Sequence, residues 1–557
     1  MRVHRKHNVS LSNNPIERKS RIKEILIELS FLLIASVLFA LAFPNFLFKW
    51  GFFPLAYIAI LPVFYVINRT SWVKVFFYGM FFGLMSYSIF NYWLIAWHPL
   101  AIFTIPPIYA FYFILLFPVL KLINTLFPKY GFIIQAVAWV GYEYLRTLGF
   151  LGYAYGVIGY TQYLFQPLIF ISSITGIWGV VLIVIFPSAF LGTALKDGLK
   201  EIRKNLLKYK ITIIAFSAVF ILIIIAGLVL AVDTEKYDKW RVALIQQNSD
   251  PWEGGITAYR NSLNVNMRLS NQALEENPDI IVWSETSFVP SIDWYTRYKP
   301  NVNNLFIIEN YSDKWQLVKE LREYLDNQTV SFLFGNNDAE KRRDSSGKEI
   351  RVDFNATLLY RDGEIVDIYR KLHLVPFSEH FPFRGILNWL YEYLQTVDIH
   401  YYTKGDEYVV FEDKGIKFST PICFEDTFGY LNRNFVNYGA DVLVNMTNDS
   451  WSNSVVCQMQ HMSMAVFRAV ENRRALVRSS NGGITCSIDQ NGRIIDILDP
   501  FTEGYLITDV PIYNEEVTIY TKYGDWLAVV SLIAVLCCLI IGIVKHLFFK
   551  KAIDKEP

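Results

Sequence analysis

The chain has 557 residues, of which 53% are hydrophobic, 16% are aromatic and only 18% are charged. This apolar excess is larger than a soluble globular protein carries, so part of the chain is expected to face lipid. A net charge of +1 gives no global field that would attract nucleic acid, and five cysteines are too few for a disulfide framework.

Apolar runs of membrane length fill the first 232 residues and recur near the end of the chain. The clearest are the uncharged runs 211–232 and 526–544, which are long enough to cross about 30 Å of hydrocarbon. Six further spans are predicted at 25–43, 51–67, 75–97, 102–123, 131–148 and 167–194. The sequence therefore predicts a helical membrane domain at 25–232 with seven transmembrane helices, and an eighth helix at 526–544.

Lysine and arginine alternate between the predicted loops. They are frequent in the tail 1–24 and in every second loop after it, whereas the intervening loops hold few. Because cytoplasmic loops are enriched in positive charge, this pattern places both tails, 1–24 and 545–557, in the cytoplasm and residues 233–525 outside. The first apolar run lacks a small-residue cleavage site, so we expect it to be a retained anchor and not a signal peptide.

The polar segment between the last two spans predicts one α/β domain, because strand-like runs alternate in it with helical patterns. The strand-like runs are Arg241–Gln247, Ile280–Ser284, Val330–Phe334, Phe354–Tyr360, Ile416–Cys423, Asp441–Asn445 and Leu476–Ile488. The helical patterns are Ala258–Glu276, Asp313–Asp326 and Cys457–Ala475.

Three residues of this domain could together perform acyl transfer. Glu285 follows a strand-like run, Lys371 opens a Lys-Leu-His-Leu-Val-Pro-Phe-Ser-Glu stretch, and Cys423 lies in Thr-Pro-Ile-Cys-Phe-Glu. A thiol attacks a carbonyl as the thiolate, a carboxylate can take its proton, and an ammonium can stabilise the oxyanion. Taken singly, however, such a cysteine is more often a small buried hydrophobe, and the charged residues are more often caps or surface charges.

The local contexts of these residues resemble those of the apolipoprotein N-acyltransferases, membrane-embedded members of the nitrilase superfamily with a Glu-Lys-Cys triad. Trp-Ser-Glu-Thr at 283–286 is similar to the family's Trp-Pro-Glu-Thr, and 371–379 is similar to Lys-x-His-Leu-Val-Pro-Phe-Gly-Glu. Pro-Ile-Cys-Phe-Glu at 421–425 resembles its Cys-Tyr-Glu motif. The resemblance covers nearly the whole chain and implies an αββα nitrilase-like sandwich, in which the three residues act as base, cation and nucleophile without a cofactor.

Three further residues are expected to support this triad. Phe424 stands where the family has a tyrosine. Glu379 is expected to orient Lys371, as a second glutamate does in related nitrilases. Glu425 follows Cys423 by two positions in the predicted strand, so both side chains could face the same side. Either glutamate could instead belong to a structural ion pair.

Four residues are candidates for substrate binding. Trp252 is the nearest match to a tryptophan that is important in the family, and Trp389 lies in an aromatic insertion that could dip into the outer leaflet. Glu143 and Arg146 lie near a membrane boundary, where ionisable residues are often functional. Ordinary core packing would also explain Trp389, and a helix-end pair would explain Glu143 and Arg146.

A metal site is not expected. His373 and His380 are seven residues apart in a proline-containing stretch, and the sequence has no His-Glu-x-x-His or Cys-x-x-Cys pattern.

The resemblance implies transfer of a fatty acyl chain from a phospholipid to the α-amine of the S-diacylglyceryl cysteine of apolipoproteins, through a thioester on Cys423. It also implies the inner membrane of a diderm bacterium, with the catalytic domain in the periplasm. Two alternatives stay open: a membrane-anchored nitrilase-like amidase that hydrolyses small amides, and a transporter or receptor with a large outer domain. Eight spans exceed what an anchor needs, which favours a lipid substrate, and the repeated membrane halves usual in transporters are not evident.

Overall fold

The computed structural model describes residues 15–97, 99, 101–149, 152–298, 311–344, 346–381, 385–386, 388–395, 401–515 and 517–553. The helices before the α/β domain are α1 Pro15–Ala42, α2 Ala56–Ala59, α3 Leu61–Arg69, α4 Trp72–Phe90, α5 Leu94–Trp97, α6 Ile105–Leu126, α7 Gly131–Leu145, α8 Gln166–Ile169, α9 Ser172–Thr175, α10 Ile177–Ala194, α11 Ile202–Lys208 and α12 Lys210–Val229. The later helices are α13 Ile256–Leu274, α14 Ile292–Arg297, α15 Tyr311–Asp326, α16 Asn388–Gln395, α17 Gly429–Asn437, α18 Val455–Asn472, α19 Ile519–Tyr523 and α20 Trp526–Ile553.

Six helical segments of the described chain are long and apolar enough to cross a membrane. They are Lys19–Ala42, Trp72–Phe90, Ala101–Leu126, Ile177–Ala194, Lys210–Lys236 and Trp526–Phe548. These segments agree with six of the eight predicted spans and confirm the helical membrane part of the fold.

The other two predicted spans lie on shorter helices. The span 51–67 corresponds to Phe53–Arg69, which is interrupted at Ile60, just before a helix with a proline in its first turn. The span 131–148 corresponds to α7, which has 15 residues. The predicted span 167–194 is also divided, because Gly176 adopts a φ of +65° before α10 begins. Glycine permits that left-handed backbone at no steric cost.

One end of the membrane helices contacts the α/β domain. Gln460 Nε2 donates to the carbonyl oxygen of Pro44 at 3.0 Å, and Trp93 Nε1 donates to Gln460 Oε1 at 3.0 Å. Arg468 Nη2 donates to the hydroxyl of Tyr160 at 3.2 Å. The loops that follow α1, α4 and α7 therefore lie at the end of the membrane helices that faces the α/β domain.

The opposite end of the helices carries the basic loops. The Arg69 guanidinium donates to the carbonyl oxygen of Lys196 at 2.5 Å, and the Tyr209 hydroxyl donates to that of Lys129 at 2.9 Å. The loops that follow α3, α6 and α10 thus meet one another at this end.

The α/β domain consists of two six-stranded sheets. In chain order the strands are β1 Lys239–Gln246, β2 Ile280–Val282, β3 Ser331–Arg343, β4 Glu349–Arg361, β5 Glu364–Arg370, β6 Phe411–Asp413, β7 Ile416–Ser419, β8 Val442–Thr447, β9 Ala475–Ser480, β10 Thr485–Ile488, β11 Ile494–Leu498 and β12 Gly504–Pro511. One sheet has the order β12-β1-β2-β3-β4-β5 and the other β11-β10-β9-β8-β7-β6.

The two sheets pack face to face and carry helices on their outer faces. Ser479 Oγ of β9 donates to the carbonyl oxygens of Ile245 and Val282 at 3.1 Å. Buried residues of α13 and α15 pack on the outside of the first sheet, and those of α17 and α18 pack on the outside of the second. The predicted αββα sandwich is therefore confirmed.

Two predicted strands differ from the structure. The run Ile416–Cys423 is a strand only as far as Ser419, because Pro421 has no N–H for the ladder and Cys423 starts a 3₁₀ helix, Cys423–Thr427. The in-strand alternation expected for Glu425 is therefore wrong. The run Leu476–Ile488 is two antiparallel strands, β9 and β10, joined by a turn with a positive φ at Gly482.

Candidate active site

The structure brings Glu285, Lys371 and Cys423 together where the strands of both sheets end. Lys371 Nζ donates to Glu285 Oε1 at 3.2 Å, and the same carboxylate acts electrostatically on the neighbouring Cys423 thiol. Lys371 is 1% exposed and Glu285 is 6% exposed, whereas Cys423 is partly exposed. A substrate can therefore reach the thiol, while the charged pair beside it is shielded from water.

Glu379 and Asn355 hold the ammonium of Lys371 in place. Lys371 Nζ donates to Glu379 Oε1 at 2.8 Å, as expected for a residue that orients the lysine. Asn355 Nδ2 donates to Glu285 Oε1 at 2.8 Å and to Glu379 Oε1 at 3.0 Å. Sequence reasoning missed Asn355, because it lies inside β4 and no local motif marks it.

The second oxygen of Glu285 has its own donor. The backbone N–H of Asn448, just after β8, donates to Glu285 Oε2 at 2.9 Å. One oxygen is thus bound by Lys371 and Asn355 and the other by the second sheet. Both carboxylate oxygens are therefore fixed by donors from the protein.

Burial dominates the protonation of the three residues. It raises the pKa of Glu285, an effect that Lys371 opposes. Burial alone would lower the pKa of Lys371, but the carboxylates of Glu285 and Glu379 raise it well above its ordinary value. Burial and the charge of Glu285 raise the pKa of Cys423 well above its ordinary value. The resting thiol is therefore neutral and needs a base when it attacks.

The backbone of Cys423 is in the left-handed region, with a φ of +51°. This conformation is uncommon for a residue with a β-carbon and is typical of functional turns. Asn445 Nδ2 supports the turn by donating to the carbonyl oxygens of Pro421 at 3.0 Å and Cys423 at 3.2 Å. The turn presents the sulfur at the sheet edge.

Glu425 is fully buried and ties the cysteine turn to the loop that follows β5. Its Oε1 accepts the backbone N–H groups of Leu372 at 2.7 Å and His373 at 2.8 Å. Its Oε2 accepts the backbone N–H of Ile422 at 2.7 Å. Burial raises the pKa of Glu425 to about 7, while these backbone donors favour its carboxylate. Glu425 thus joins the segments that carry Cys423 and the lysine.

Phe424 packs through its ring in a small aromatic group. Its ring centroid is 4.9 Å from that of Phe428 and 6.1 Å from that of His373. The rings of His373 and Phe428 in turn stack at 4.0 Å. These contacts need an aromatic ring and no hydroxyl, so phenylalanine can make them in the place of the family's tyrosine.

Glu143 and Arg146 form a buried ion pair at the end of α7 that faces the α/β domain. Arg146 Nε lies 2.5 Å from Glu143 Oε2, and Arg146 Nη1 donates to the carbonyl oxygens of Tyr153 at 2.8 Å and Tyr155 at 3.1 Å. The ring of Tyr155 lies 6.1 Å from that of His461. This geometry favours a helix-end pair that fixes the segment 153–155.

Trp252 and Trp389 lie at the surface. They are 65% and 67% exposed, and among the described contacts neither touches the three central residues. The turn that holds Trp252 is nevertheless tied to the site, because the backbone N–H of Ser249 donates to Asn481 Oδ1 at 2.8 Å. Asn481 Nδ2 donates in turn to Asn448 Oδ1 at 3.2 Å.

A buried ionic cluster that sequence reasoning missed lies behind the cysteine turn. His461 Nε2 is 2.7 Å from Asp426 Oδ1, and His461 Nδ1 is 3.0 Å from Asp449 Oδ1. Arg478 also pairs with both aspartates. Burial alone would lower the pKa of His461, but the two aspartates raise it to about 9. The cluster joins the turn of Cys423, the loop after β8, helix α18 and strand β9.

We expect His461→Gln to remove a pH-dependent part of the stability. The pKa of His461 rises from 6.5 to about 9 on folding, so protonated His461 stabilises the protein fully below pH 6.5. The contribution, about 3 kcal/mol, is lost as the pH rises through about 9. Thermal unfolding between pH 6 and 10 should give a Tm that falls with pH in the wild type and in the exposed control His380→Gln, but changes less in His461→Gln. An equal fall of Tm with pH in all three proteins would contradict the raised pKa of His461.

Comparison with known proteins agrees with both parts of the fold. Residues 241–518 match the carbon-nitrogen hydrolase family, and residues 35–190 match the apolipoprotein N-acyltransferase N-terminal domain. The chain is 43% identical to apolipoprotein N-acyltransferase 1 of Treponema denticola, over 91% of this chain and 95% of that protein. It is 40% identical to apolipoprotein N-acyltransferase 1 of Treponema pallidum, over 95% of this chain and 97% of that protein. It is 29% identical to the apolipoprotein N-acyltransferase of Borreliella burgdorferi, over 88% of this chain and 91% of that protein.

These identities extend over the membrane helices as well as over the sandwich that holds Glu285, Lys371 and Cys423. The carbon-nitrogen hydrolase match contains all three residues, and the N-terminal match contains α4, α6 and α7. Because relatives of this similarity are matched over nearly their whole length, the chain belongs to the apolipoprotein N-acyltransferase family.

Proposed function

We propose that this protein transfers a fatty acyl chain from a phospholipid to the α-amine of the S-diacylglyceryl cysteine of an apolipoprotein, through a thioester on Cys423. The observation that carries the proposal is the site itself, in which an accessible thiol shares a carboxylate with a buried ammonium. The names of the relatives at 43% and 40% identity support this substrate class. The membrane helices support it further, because they bring the site to a lipid surface.

The first half-reaction acylates the enzyme. Glu285 takes the thiol proton while the sulfur of Cys423 attacks the carbonyl carbon of the phospholipid ester. Lys371 stabilises the oxyanion of the tetrahedral intermediate. The bond between the carbonyl carbon and the glycerol oxygen then breaks, Glu285 returns the proton to that oxygen, and lysophospholipid leaves.

The second half-reaction acylates the lipoprotein. The α-amine attacks the thioester carbonyl, Glu285 takes a proton from the amine, and Lys371 again stabilises the oxyanion. The carbon–sulfur bond breaks, the Cys423 thiolate recovers a proton, and an amide is formed. A thioester reacts with an amine more readily than an ester does, so the exchange needs no ATP. The product is a triacylated lipoprotein.

Glu379, Asn355 and Glu425 act in this proposal as positioning residues. Glu379 and Asn355 fix the ammonium of Lys371 against the base. Glu425 fixes the turn that presents the thiol. Their roles depend on hydrogen bonds to protein groups and not on contact with the substrate.

The protein is a multi-pass membrane protein, and we propose that it lies in the inner membrane with residues 233–525 in the periplasm. The basic loops after α3, α6 and α10 meet at the end of the helices away from the α/β domain, which supports a cytoplasmic position for that end and for the tails 1–24 and 545–557. Because α3 and α7 connect the two ends, seven crossings at 25–232 and an eighth at 526–544 fit this topology. A membrane-impermeant amine reagent should label Lys404 and not Lys200 in intact spheroplasts; the opposite result would reverse the topology.

Trp389 is proposed to insert into the outer leaflet beside the site. It is 67% exposed on α16, and Ile386 just before this helix is 79% exposed. We expect Trp389→Ser to raise the KM for donor phospholipid in vesicles by up to about tenfold, as for the loss of one interfacial contact of ~1.4 kcal/mol. The control Trp389→Phe should keep most of the affinity. A KM unchanged in Trp389→Ser would remove this residue, with its neighbour Ile386, from the lipid contact.

The proposed function is tested by complementation of an acyltransferase-deficient strain, followed by mass analysis of the lipoprotein N-terminus. The expected product carries an added amide-linked acyl chain. With purified protein and phospholipid alone, mass spectrometry should find acylated Cys423. Release of free fatty acid or ammonia without acyl transfer would favour the amidase alternative. An unacylated Cys423 together with no acylated lipoprotein would favour a transporter or receptor with a large outer domain.

A further inference from the structure

A cavity of about 680 Å³ lies where the membrane helices meet the α/β domain. Its walls come from the loop after α1, the loop after α4 and the first turn of α18. Residues that line it include Asn45, Lys49, Tyr92, Trp93 and Ser454. The cavity opens to the surface of the protein, so a ligand can enter it.

An apolar cleft of about 190 Å³ adjoins this cavity and shares Asn45, Phe46, Tyr92 and Val456 with it. The cleft extends between the ends of α1 and α4, and its walls are almost entirely aliphatic or aromatic. Together the two spaces offer a wide mouth that carries a few polar groups and a narrow apolar extension between the membrane helices.

Lys49 supplies the charge of the mouth. It is the one lysine or arginine in the stretches 43–52 and 91–104. Its Nζ lies 5.4 Å from the ring centroid of Trp50, and no carboxylate of the described residues forms an ion pair with it. The ammonium is therefore available to an anion.

The wall of the cavity leads to the active site. The ring centroid of Trp93 lies 6.0 Å from that of Trp451, and Trp93 also donates to Gln460 at 3.0 Å. Trp451 follows Asn448, whose backbone N–H binds the carboxylate of Glu285. A ligand in the mouth would thus lie one layer of side chains from the segment that holds the base.

We propose that this cavity binds the phospholipid donor, with the phosphate at Lys49 and the acyl chain that is not transferred in the cleft between α1 and α4. The inference rests on the proposed function and deepens it. A phosphodiester with fatty chains matches an unpaired ammonium beside an apolar cleft. The acceptor carries a cationic α-amine and no phosphate at its lipid-modified cysteine, so it offers Lys49 no anion to bind. The cavity therefore selects donor over acceptor.

The test uses the full-length protein in detergent with phosphatidylglycerol, and follows acylation of Cys423 by mass spectrometry. Lys49→Gln should raise the donor KM about tenfold and leave kcat unchanged, because a charge-assisted contact is lost. Lys49→Arg should retain the wild-type KM. A matched control, Lys522→Gln, removes an exposed lysine near the other end of α18 and should change nothing. Transfer from preformed acyl-enzyme to a diacylated lipopeptide should be unaffected by Lys49→Gln.

Two further measurements separate the charge from the cleft. Diacylglycerol, a donor without phosphate, should have the same KM in the wild type and in Lys49→Gln. Val37→Trp, which fills the cleft from its lipid-exposed side, should raise the KM for long-chain but not for short-chain phosphatidylglycerol.

An unchanged phospholipid KM in Lys49→Gln would overturn the inference, and so would an effect confined to the acceptor step. If wild-type protein acquired no acyl chain from phospholipid at all, the proposed function itself would fail. The two failures are therefore distinguishable.

Discussion

Cys423→Ala is expected to abolish acyl transfer, with a loss of at least about 10⁴-fold, because no thioester can form without the sulfur. The side chain is partly exposed, and Asn445 supports the backbone at Cys423 independently of the sulfur, so its truncation should leave the protein folded and inserted. The measurement is N-acylation of a diacylated lipopeptide with phospholipid as donor, together with the mass of the peptide that contains residue 423.

The chain offers a matched control for this result. Cys537 is an exposed thiol in the last membrane helix, and Cys537→Ala should transfer acyl chains at the wild-type rate. Cys423→Ser should also be inactive, since its hydroxyl is a much weaker nucleophile. A folded Cys423→Ala protein that N-acylated the lipopeptide normally would show that the mechanism is not covalent at this residue.

Glu285→Gln is expected to lower the rate of acyl-enzyme formation by about 10²- to 10⁴-fold, the usual contribution of a general base. Burial is the largest cause of the raised pKa of Cys423 and persists without the charge of Glu285, so the thiol stays protonated when the base is lost. Glutamine keeps the size of the side chain but cannot accept a proton. The measurement is the pre-steady-state rate of Cys423 acylation as a function of pH.

The pH profile distinguishes the loss of a base from a loss of structure. Without the base, the reaction depends on the small thiolate fraction, so the rate of Glu285→Gln should rise about tenfold per pH unit below the pKa of Cys423. The control Glu379→Gln removes a carboxylate that touches Lys371 but not the thiol, and should lose less. A wild-type acylation rate in Glu285→Gln would exclude this residue as the base.

Local sequence was sufficient to predict the fold class and the three central residues. Glu285, Lys371 and Cys423 each lie in a short motif, and the structure brings these motifs together. Asn355 and His461 could not be assigned contacts in this way. Asn355 lies 70 residues from Glu285 in the sequence, and His461 lies 35 residues from Asp426. Hydrophobic periodicity carries no information about pairs at such separations.

The sequence by itself determined the six long membrane helices and the α/β character of the polar domain, because hydropathy and side-chain period are local properties of the chain. Only the tertiary structure decided how the chain turns after β7, since the N–H of Ile422 binds the buried carboxylate of Glu425 just before the 3₁₀ helix of Cys423. It also decided that Lys49 borders a cavity, because that space exists only where loops distant in sequence meet the first turn of α18. Contacts of this kind depend on packing between elements, which a single sequence does not specify.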